Sequence, residues 1–209
     1  PITLGIQAII IAKLLNLPLV GTFHTFFAHP EYLKHIKLNH KIVESLAWRF
    51  SNSYYNRCDL VVCSSEATKS ELIARKCTKP IRVIPLGIDF RVFRNDSASE
   101  VRNRYNKRGK LLLFVGRIAH EKNLPFLLEC FARVLKKVPS VKLVVVGNGP
   151  QMQEVKAKIA SLGITKSVIF TGSVPHKELV KSGIFGACEV FVNASTTETG
   201  PLTVLEAQA

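Results

Sequence analysis

Short uninterrupted apolar runs alternate along the chain with longer stretches in which apolar residues recur every three or four positions. The runs Pro18–His24, Asp59–Cys63 and Ile81–Ile84 predict strands in the first part. Leu111–Val115, Val141–Val146, Val168–Thr171 and Glu189–Val192 predict strands in the second. Between them the spacing predicts helices over Ile6–Leu15, Glu31–Asn56, Ser65–Lys76, Leu124–Lys137, Gln151–Leu162 and Lys177–Ser182, with a last one opening over Pro201–Ala209. Asn16 and Pro18 stop the first helix, and Ser65 or Ser64 caps the third. The strands are solidly apolar rather than alternating, which suits parallel strands covered on both faces. Strand–helix alternation with short connections predicts right-handed βαβ units and an α/β fold. Pro85–Ser99 has little periodicity and is rich in Pro, Gly, Asp and Asn, so it reads as a linker between two α/β halves.

Composition narrows this picture. With 209 residues, 47% of them apolar, the chain fits one large or two small domains with a sizeable core. No run reaches the roughly 18 apolar residues of a transmembrane helix. The most apolar stretch, Ile6–Leu17, is broken by Lys13 and Asn16, and no basic segment precedes it, so no secretory signal is predicted. A start without Met and an end inside a helical pattern predict a piece of a longer protein. Cys58, Cys63, Cys77, Cys130 and Cys188 form no Cys-x-x-Cys pair and read as buried thiols of a reducing, cytoplasmic compartment. The net charge is +14; residues 1–94 carry 13 Lys and Arg against 6 Asp and Glu, and residues 95–209 carry 16 against 9. Such an even excess reads as a solvated basic surface, or as attraction to an anionic membrane or an acidic substrate. No nucleic-acid motif with interleaved aromatics accompanies it, so no nucleic-acid partner is predicted.

Several loops carry candidate chemistry. Glu198 falls in a polar loop and Glu206 on the first turns of the last helix, eight residues apart. A carboxylate accepts hydrogen bonds from sugar hydroxyls, and a helix N-terminus favours phosphate. The loop from Gly116 to Asn123 follows a strand and precedes a helix, where crevices of such sheets lie. Its Arg117 and Lys122 suit a diphosphate, or are surface cations, one of them paired with Glu121. Val146-Gly147-Asn148-Gly149-Pro150 either lets a ligand approach the backbone or is simply a tight turn with Pro opening a helix. His24 ends a strand and can position a hydroxyl or take a proton, or is merely structural. Finally, Lys34, Lys37, Lys41, Arg49 and Arg57 lie among Tyr32, Trp48, Phe50, Tyr54 and Tyr55. That mixture suits an anionic membrane surface, or a core-facing helix whose solvated side is basic.

Taken in order, these segments resemble the retaining glycosyltransferases of family 4. The resemblance rests on Thr22-Phe-His-Thr25, Asp59–Ser65, Ile84–Asp89, Gly116-Arg117 with Lys122, Val146–Pro150, Phe170–Gly172 and the Glu198 to Glu206 spacing. It implies a GT-B fold of two facing Rossmann-like domains, both incomplete here. Residues 1–90 would be the C-terminal part of the acceptor-side domain, and residues 91–209 the N-terminal part of the donor-binding domain. It implies transfer of a hexose from a nucleotide-sugar such as UDP-glucose or GDP-mannose, with retained configuration and no metal or other cofactor. By the same resemblance Arg117 and Lys122 hold the diphosphate, Glu198 contacts the donor sugar, Glu206 binds the ribose and His24 lies beside the reacting sugar. The backbone near Val174 meets the base, and Gly116, Gly200, Leu202 and Thr203 belong to the donor side. Pro201 departs from the family, which has Gly there, and so removes one N–H. The Phe-His-Thr segment with its basic, aromatic sequel is similar to lipid-directed members such as diacylglycerol glucosyltransferases, which implies a lipid or saccharide acceptor and a peripheral place on the inner face of the cell membrane. A non-catalytic nucleotide- or membrane-binding module, and an epimerase or phosphorylase of the same fold, stay open as other readings.

Overall fold

The computed structural model describes residues 2–26, 28, 40–93 and 97–209. They form two compact units: residues 1–86 with 197–200, and residues 87–196 with 201–209.

The first unit runs α1 (Ile2–Leu14), β1 (Val20–Phe23), α2 (His40–Tyr55), β2 (Leu60–Cys63), α3 (Glu66–Ala74) and β3 (Ile81–Val83). The strands form a parallel sheet in the order β1-β2-β3, with Val20 opposite Leu60 and Val61 opposite Ile81. The predicted helix from Glu31 to Asn56 is seen from His40; residues 31–39 lie outside the described residues. Of the two serines at the start of α3, Ser65 caps it, its Oγ accepting from the Thr68 N–H at 3.2 Å. The core gathers Phe23, Trp48, Cys58, Val61, Cys63 and Leu72. Phe23 and Trp48 stack with centroids 6.2 Å apart. The Arg75 guanidinium covers the Trp48 ring at 4.9 Å and pairs with Glu44 at 3.1 Å and Glu71 at 2.8 Å. Trp48 therefore belongs to the core-facing side of α2, while Ile42, Leu46, Arg49 and Phe50 are exposed on the other.

The second unit runs α4 (Ala98–Asn106), β4 (Leu111–Val115), α5 (Leu124–Lys137), β5 (Lys142–Val146), α6 (Met152–Ser161), β6 (Val168–Gly172), α7 (His176–Lys181), α8 (Ile184–Ala187), β7 (Val190–Phe191) and α9 (Leu202–Gln208). Its parallel sheet has the order β6-β5-β4-β7, so the chain steps outward from β4 and then returns to β4's other side. Separate clusters line the sheet. One joins Phe114, Leu143 and Val145 to Leu124, Leu128 and Phe131 of α5 and Val155 of α6. The other joins Leu111, Leu113, Val144 and Val146 to Leu179 and Ile184. This two-sided covering explains the solid apolar runs.

Three expectations need correction. The predicted linker Pro85–Ser99 contains a 3₁₀ turn at Phe90–Phe93, with Phe93 buried, and the start of α4. Both α4 and the one-turn α8 escape the periodicity. The cysteines are not uniformly buried either: Cys58, Cys63 and Cys77 are, whereas Cys130 is exposed on α5 and Cys188 is half-buried. Burial and the neighbouring Glu189 push the Cys188 thiol up to about 12. At neutral pH a maleimide should therefore label Cys130 in the folded protein and leave Cys58, Cys63, Cys77 and Cys188 unlabelled until denaturant is added, as peptide mass mapping would read.

Helix α4 is tied down by charge. Arg102 pairs with Glu189 and donates to the Gly109 carbonyl at 3.3 Å, while Glu189 Oε2 accepts from the Leu111 N–H at 2.7 Å. Burial opposes ionisation of Glu189, but the Leu111 N–H and the Arg102 guanidinium outweigh it and hold the carboxyl below the usual range. A carboxyl depressed in the folded state gives its full stabilisation above its unfolded pKa of about 4.3 and loses it as pH falls through the lower folded value. Glu189→Gln should lower the unfolding free energy at pH 7 by about 1–2 kcal/mol in urea titrations, with the gap to the parent closing below about pH 4.

Candidate functional site

In the second unit the carboxyl ends of β4, β5 and β6 open onto a cleft of about 400 Å³ lined by Val115, Gly116, Arg117, Val146, Gly147, Asn148, Ser173, Val174 and Leu179. Such crevices are where open α/β sheets bind ligands.

The cleft floor is made of backbone. Gly116 donates to the Val146 carbonyl at 3.0 Å, and Gly147 donates to the Gly172 carbonyl at 2.8 Å. A Cβ on Gly147 would lie 1.9 Å from the Gly116 carbonyl oxygen, and Gly147 has φ +140°, a conformation that L side chains rarely adopt. Gly149 meets the Ile118 carbonyl in the same way, at 2.2 Å. Ile118 donates to the Asn148 carbonyl at 3.0 Å, and Gln151 donates to the Ile118 carbonyl at 3.1 Å. The loop carrying Arg117 is thus laid directly on the loop carrying Asn148. Gly147–Pro150 is thus a tight turn, and its glycines admit the main chain of the neighbouring loop.

Arg117 is exposed at this cleft. Lys122 ends a 3₁₀ turn (His120–Lys122), and its Cε lies 4.0 Å from where a Cβ on Gly116 would stand, so it reaches back over the start of its own loop. Asn123 follows in the left-handed region, φ 49°, and lets the chain enter α5. Sequence reasoning overlooked what holds this turn. The buried Gln151 directs its Nε2 at His120 Nδ1, 2.6 Å away, and donates to Glu154 Oε2 at 2.8 Å. An amide N–H beside Nδ1 requires Nδ1 to accept, which places the imidazole proton of His120 on Nε2.

Val174 lines the cleft, as expected of a residue at the end of β6. Two residues on, His176 Nε2 lies 2.8 Å from Glu206 Oε1. Glu206 is buried at 6% exposure on α9. Leu202 and Thr203 form the first turn of α9. Pro201 stands just before that helix, at φ −76° and ψ 101°, rather than in its first turn, and its carbonyl accepts from Val204 at 3.1 Å. Proline therefore costs this helix no hydrogen bond of its own ladder.

The remaining candidates belong to the first unit. His24 is exposed just after β1, and its carbonyl accepts from Thr199 Oγ1 at 2.7 Å. Ser64 Oγ donates to the Thr199 carbonyl at 2.6 Å. Glu198 and Gly200 flank Thr199, and a Cβ on Gly200 would meet Ser64 Oγ at 2.9 Å. The segment carrying Glu198 is thus anchored at the carboxyl ends of β1 and β2.

Residues 96–209 match the family model Glycosyl transferases group 1, and residues 1–92 match Glycosyltransferase Family 4. The chain belongs to this family of glycosyltransferases, with the GT-B type of α/β fold. It is similar to the alpha-monoglucosyldiacylglycerol synthase of Streptococcus pneumoniae, at 35% identity over 99% of this chain and 48% of the relative. The enzyme of the same description from Acholeplasma laidlawii is 28% identical over 99% of this chain and 54% of the relative. The chain spans about half the length of the curated relatives it matches. Among solved structures, Anabaena HepE in complex with UDP and glucose superposes with a TM-score of 0.81 at 20% identity, over 99% of this chain and 55% of that one. The sucrose-phosphate synthase of Thermosynechococcus elongatus gives 0.79 at 19% identity, over 97% and 51%.

The close contact at Gly147 has a measurable cost. Gly147→Ala should lower the unfolding free energy by about 3 kcal/mol, because backbone strain and a steric clash coincide. Gly163 also has positive φ but has nothing within 4 Å of a Cβ, so Gly163→Ala should cost only about 1 kcal/mol of strain. Equal losses in urea titrations would rule out the contact account.

Proposed function

We propose that this chain is part of a glycosyltransferase that moves a hexose from a nucleotide-sugar, with UDP-glucose or GDP-mannose as the candidate donors, onto a lipid acceptor. The anomeric configuration is retained and no metal is used. The observation that carries this reading is the cleft at the ends of β4–β6, where Gly116, Arg117 and Val174 share one wall system and Lys122 turns back over Gly116.

In this reading residues 91–209 bind the donor and residues 1–90 serve the acceptor. The backbone at Val174 meets the base, and Glu206 accepts hydrogen bonds from the ribose. Arg117 and Lys122 bind the diphosphate, Arg by a bidentate fork and Lys as a point charge. The glycines at 116 and 200, with the backbone N–H groups of Leu202 and Thr203, give the phosphates and sugar close contact with the main chain. Glu198 holds the sugar hydroxyls, and His24 stands beside the anomeric carbon.

Cleavage of the donor leaves an oxocarbenium-like sugar and a diphosphate on which negative charge grows. Fixed cations stabilise that charge most in the transition state, so they lower the barrier rather than merely tighten binding. This is the work a divalent ion performs in other transferases, and it supports a metal-free reaction. The lipid acceptor is supported by the names of the relatives from Streptococcus pneumoniae and Acholeplasma laidlawii. It is also supported by the exposed Ile42, Leu46 and Phe50 of α2 beside the cations Lys41 and Arg49, a combination that suits an anionic lipid surface.

Transfer from radiolabelled UDP-glucose and GDP-mannose to diacylglycerol-containing vesicles by the full-length protein tests this reading. Arg117→Ala should lower kcat by about 10²–10³-fold, Glu198→Ala should impair transfer as well, and EDTA should leave the rate unchanged. Unchanged turnover in both variants would sink the assignment of the site. Nucleotide binding without transfer to any acceptor would favour the non-catalytic module.

A further inference from the structure

Glu206 is buried, and a buried polar group needs hydrogen-bond partners, which also fix its orientation. The structure supplies one from an element that sequence reasoning did not connect to it. His176 Nε2 lies 2.8 Å from Glu206 Oε1. An ionised carboxylate only accepts, so Nε2 carries the proton and donates.

The segment that carries the histidine is well held, although the imidazole itself is 65% exposed. It opens α7, whose Leu179 and Val180 are buried, and the Pro175 carbonyl before it accepts from Glu178 and Leu179 at 2.9 Å each. Its ring meets Phe93 edge-on with centroids 6.5 Å apart, and Phe93 in turn packs on Phe185 at 5.5 Å. Val174 and Leu179, on either side of His176 in sequence, both line the cleft. The same short segment therefore builds a cleft wall and fixes the carboxylate of Glu206.

We propose that His176 is a positioning residue of the donor site: its Nε2–H holds the Glu206 carboxylate in the rotamer that accepts the ribose hydroxyls. This rests on the reading of Glu206 as the ribose-binding residue. A carboxylate offers about four lone-pair sites. His176 takes one, and the hydrogen bond sets the plane in which the others face a ligand. Without it the carboxylate loses its preset direction, and binding must supply the ordering.

Calorimetric titration of the full-length protein with UDP, and with GDP, tests this. His176→Ala should weaken binding of the nucleotide that the parent protein takes by about tenfold. His176→Gln, which still offers an N–H, should recover most of the loss. In a Glu206→Ala background His176→Ala should add nothing, since its action passes through that carboxylate. Competition by inorganic pyrophosphate should be the same in parent and His176→Ala, which also shows that the variant is folded. Parent-like nucleotide affinity in His176→Ala, or an equal loss in the Glu206→Ala background, would overturn the proposal while leaving the site reading intact. A parent protein that binds neither nucleotide, or a Glu206→Ala protein that binds like the parent, would instead overturn the reading of Glu206 on which it stands.

Discussion

The second unit turns on a contact between two main chains. Gly147 lies so close to the Gly116 carbonyl that no Cβ fits between them, and Gly149 repeats the arrangement against Ile118. Two parallel strands of the sheet thereby end in loops that touch, rather than in loops that diverge. The hydrogen bonds from Ile118 to Asn148 and from Gln151 to Ile118 run along the same seam. With the seam closed, the backbone that carries Arg117 is fixed on either side, at Gly116 and Ile118. The backbone dipoles along the seam are fixed in direction and need no reorganisation to interact with charge.

Around that seam the polar side chains are arranged in pairs that restrain one another. Gln151 uses its amide to fix His120, next to Glu121 and Lys122, and Glu154 accepts its other proton. His176 faces the buried carboxylate of Glu206. Arg102 and Glu189 do the same for the packing of α4 against the start of β4. In each case a group that would be costly to bury alone is matched by one that limits its rotation as well as its charge.

Much of this was legible in the sequence, and the reasons differ by element. In the second unit the strands were visible because both faces of the sheet are covered, so Leu111–Val115 and Leu143–Val146 are apolar throughout. In the first unit β1 and β2 are largely apolar runs that bury alternate residues. Helix α5 showed itself through Leu124, Leu127, Leu128 and Phe131, a repeat that only a helix satisfies. Helix α4 did not, because none of its residues is fully buried: Val101 and Tyr105 pack only partly against the core, and Arg102 finds Glu189 87 positions away in sequence. The anchoring of Thr199 by Ser64, and the pairing of His176 with Glu206, are likewise non-local, and no spacing rule announces them. His120 and Gln151 stood beside segments already singled out. What sequence could not show is that a glutamine after a Gly-Pro turn points back across the seam.

The packing of Trp48 has a spectroscopic consequence. It is the chain's one tryptophan, buried in the first unit between Phe23 and the guanidinium of Arg75. The second unit has none. Indole emission from this stretch of chain is thus a local probe, reporting when the sheet of Phe23, Val61 and Cys63 opens and blind to melting around β4 and β5. Set against a signal that both units share, such as far-ultraviolet dichroism, it would separate the unfolding of one half from that of the other without any added label.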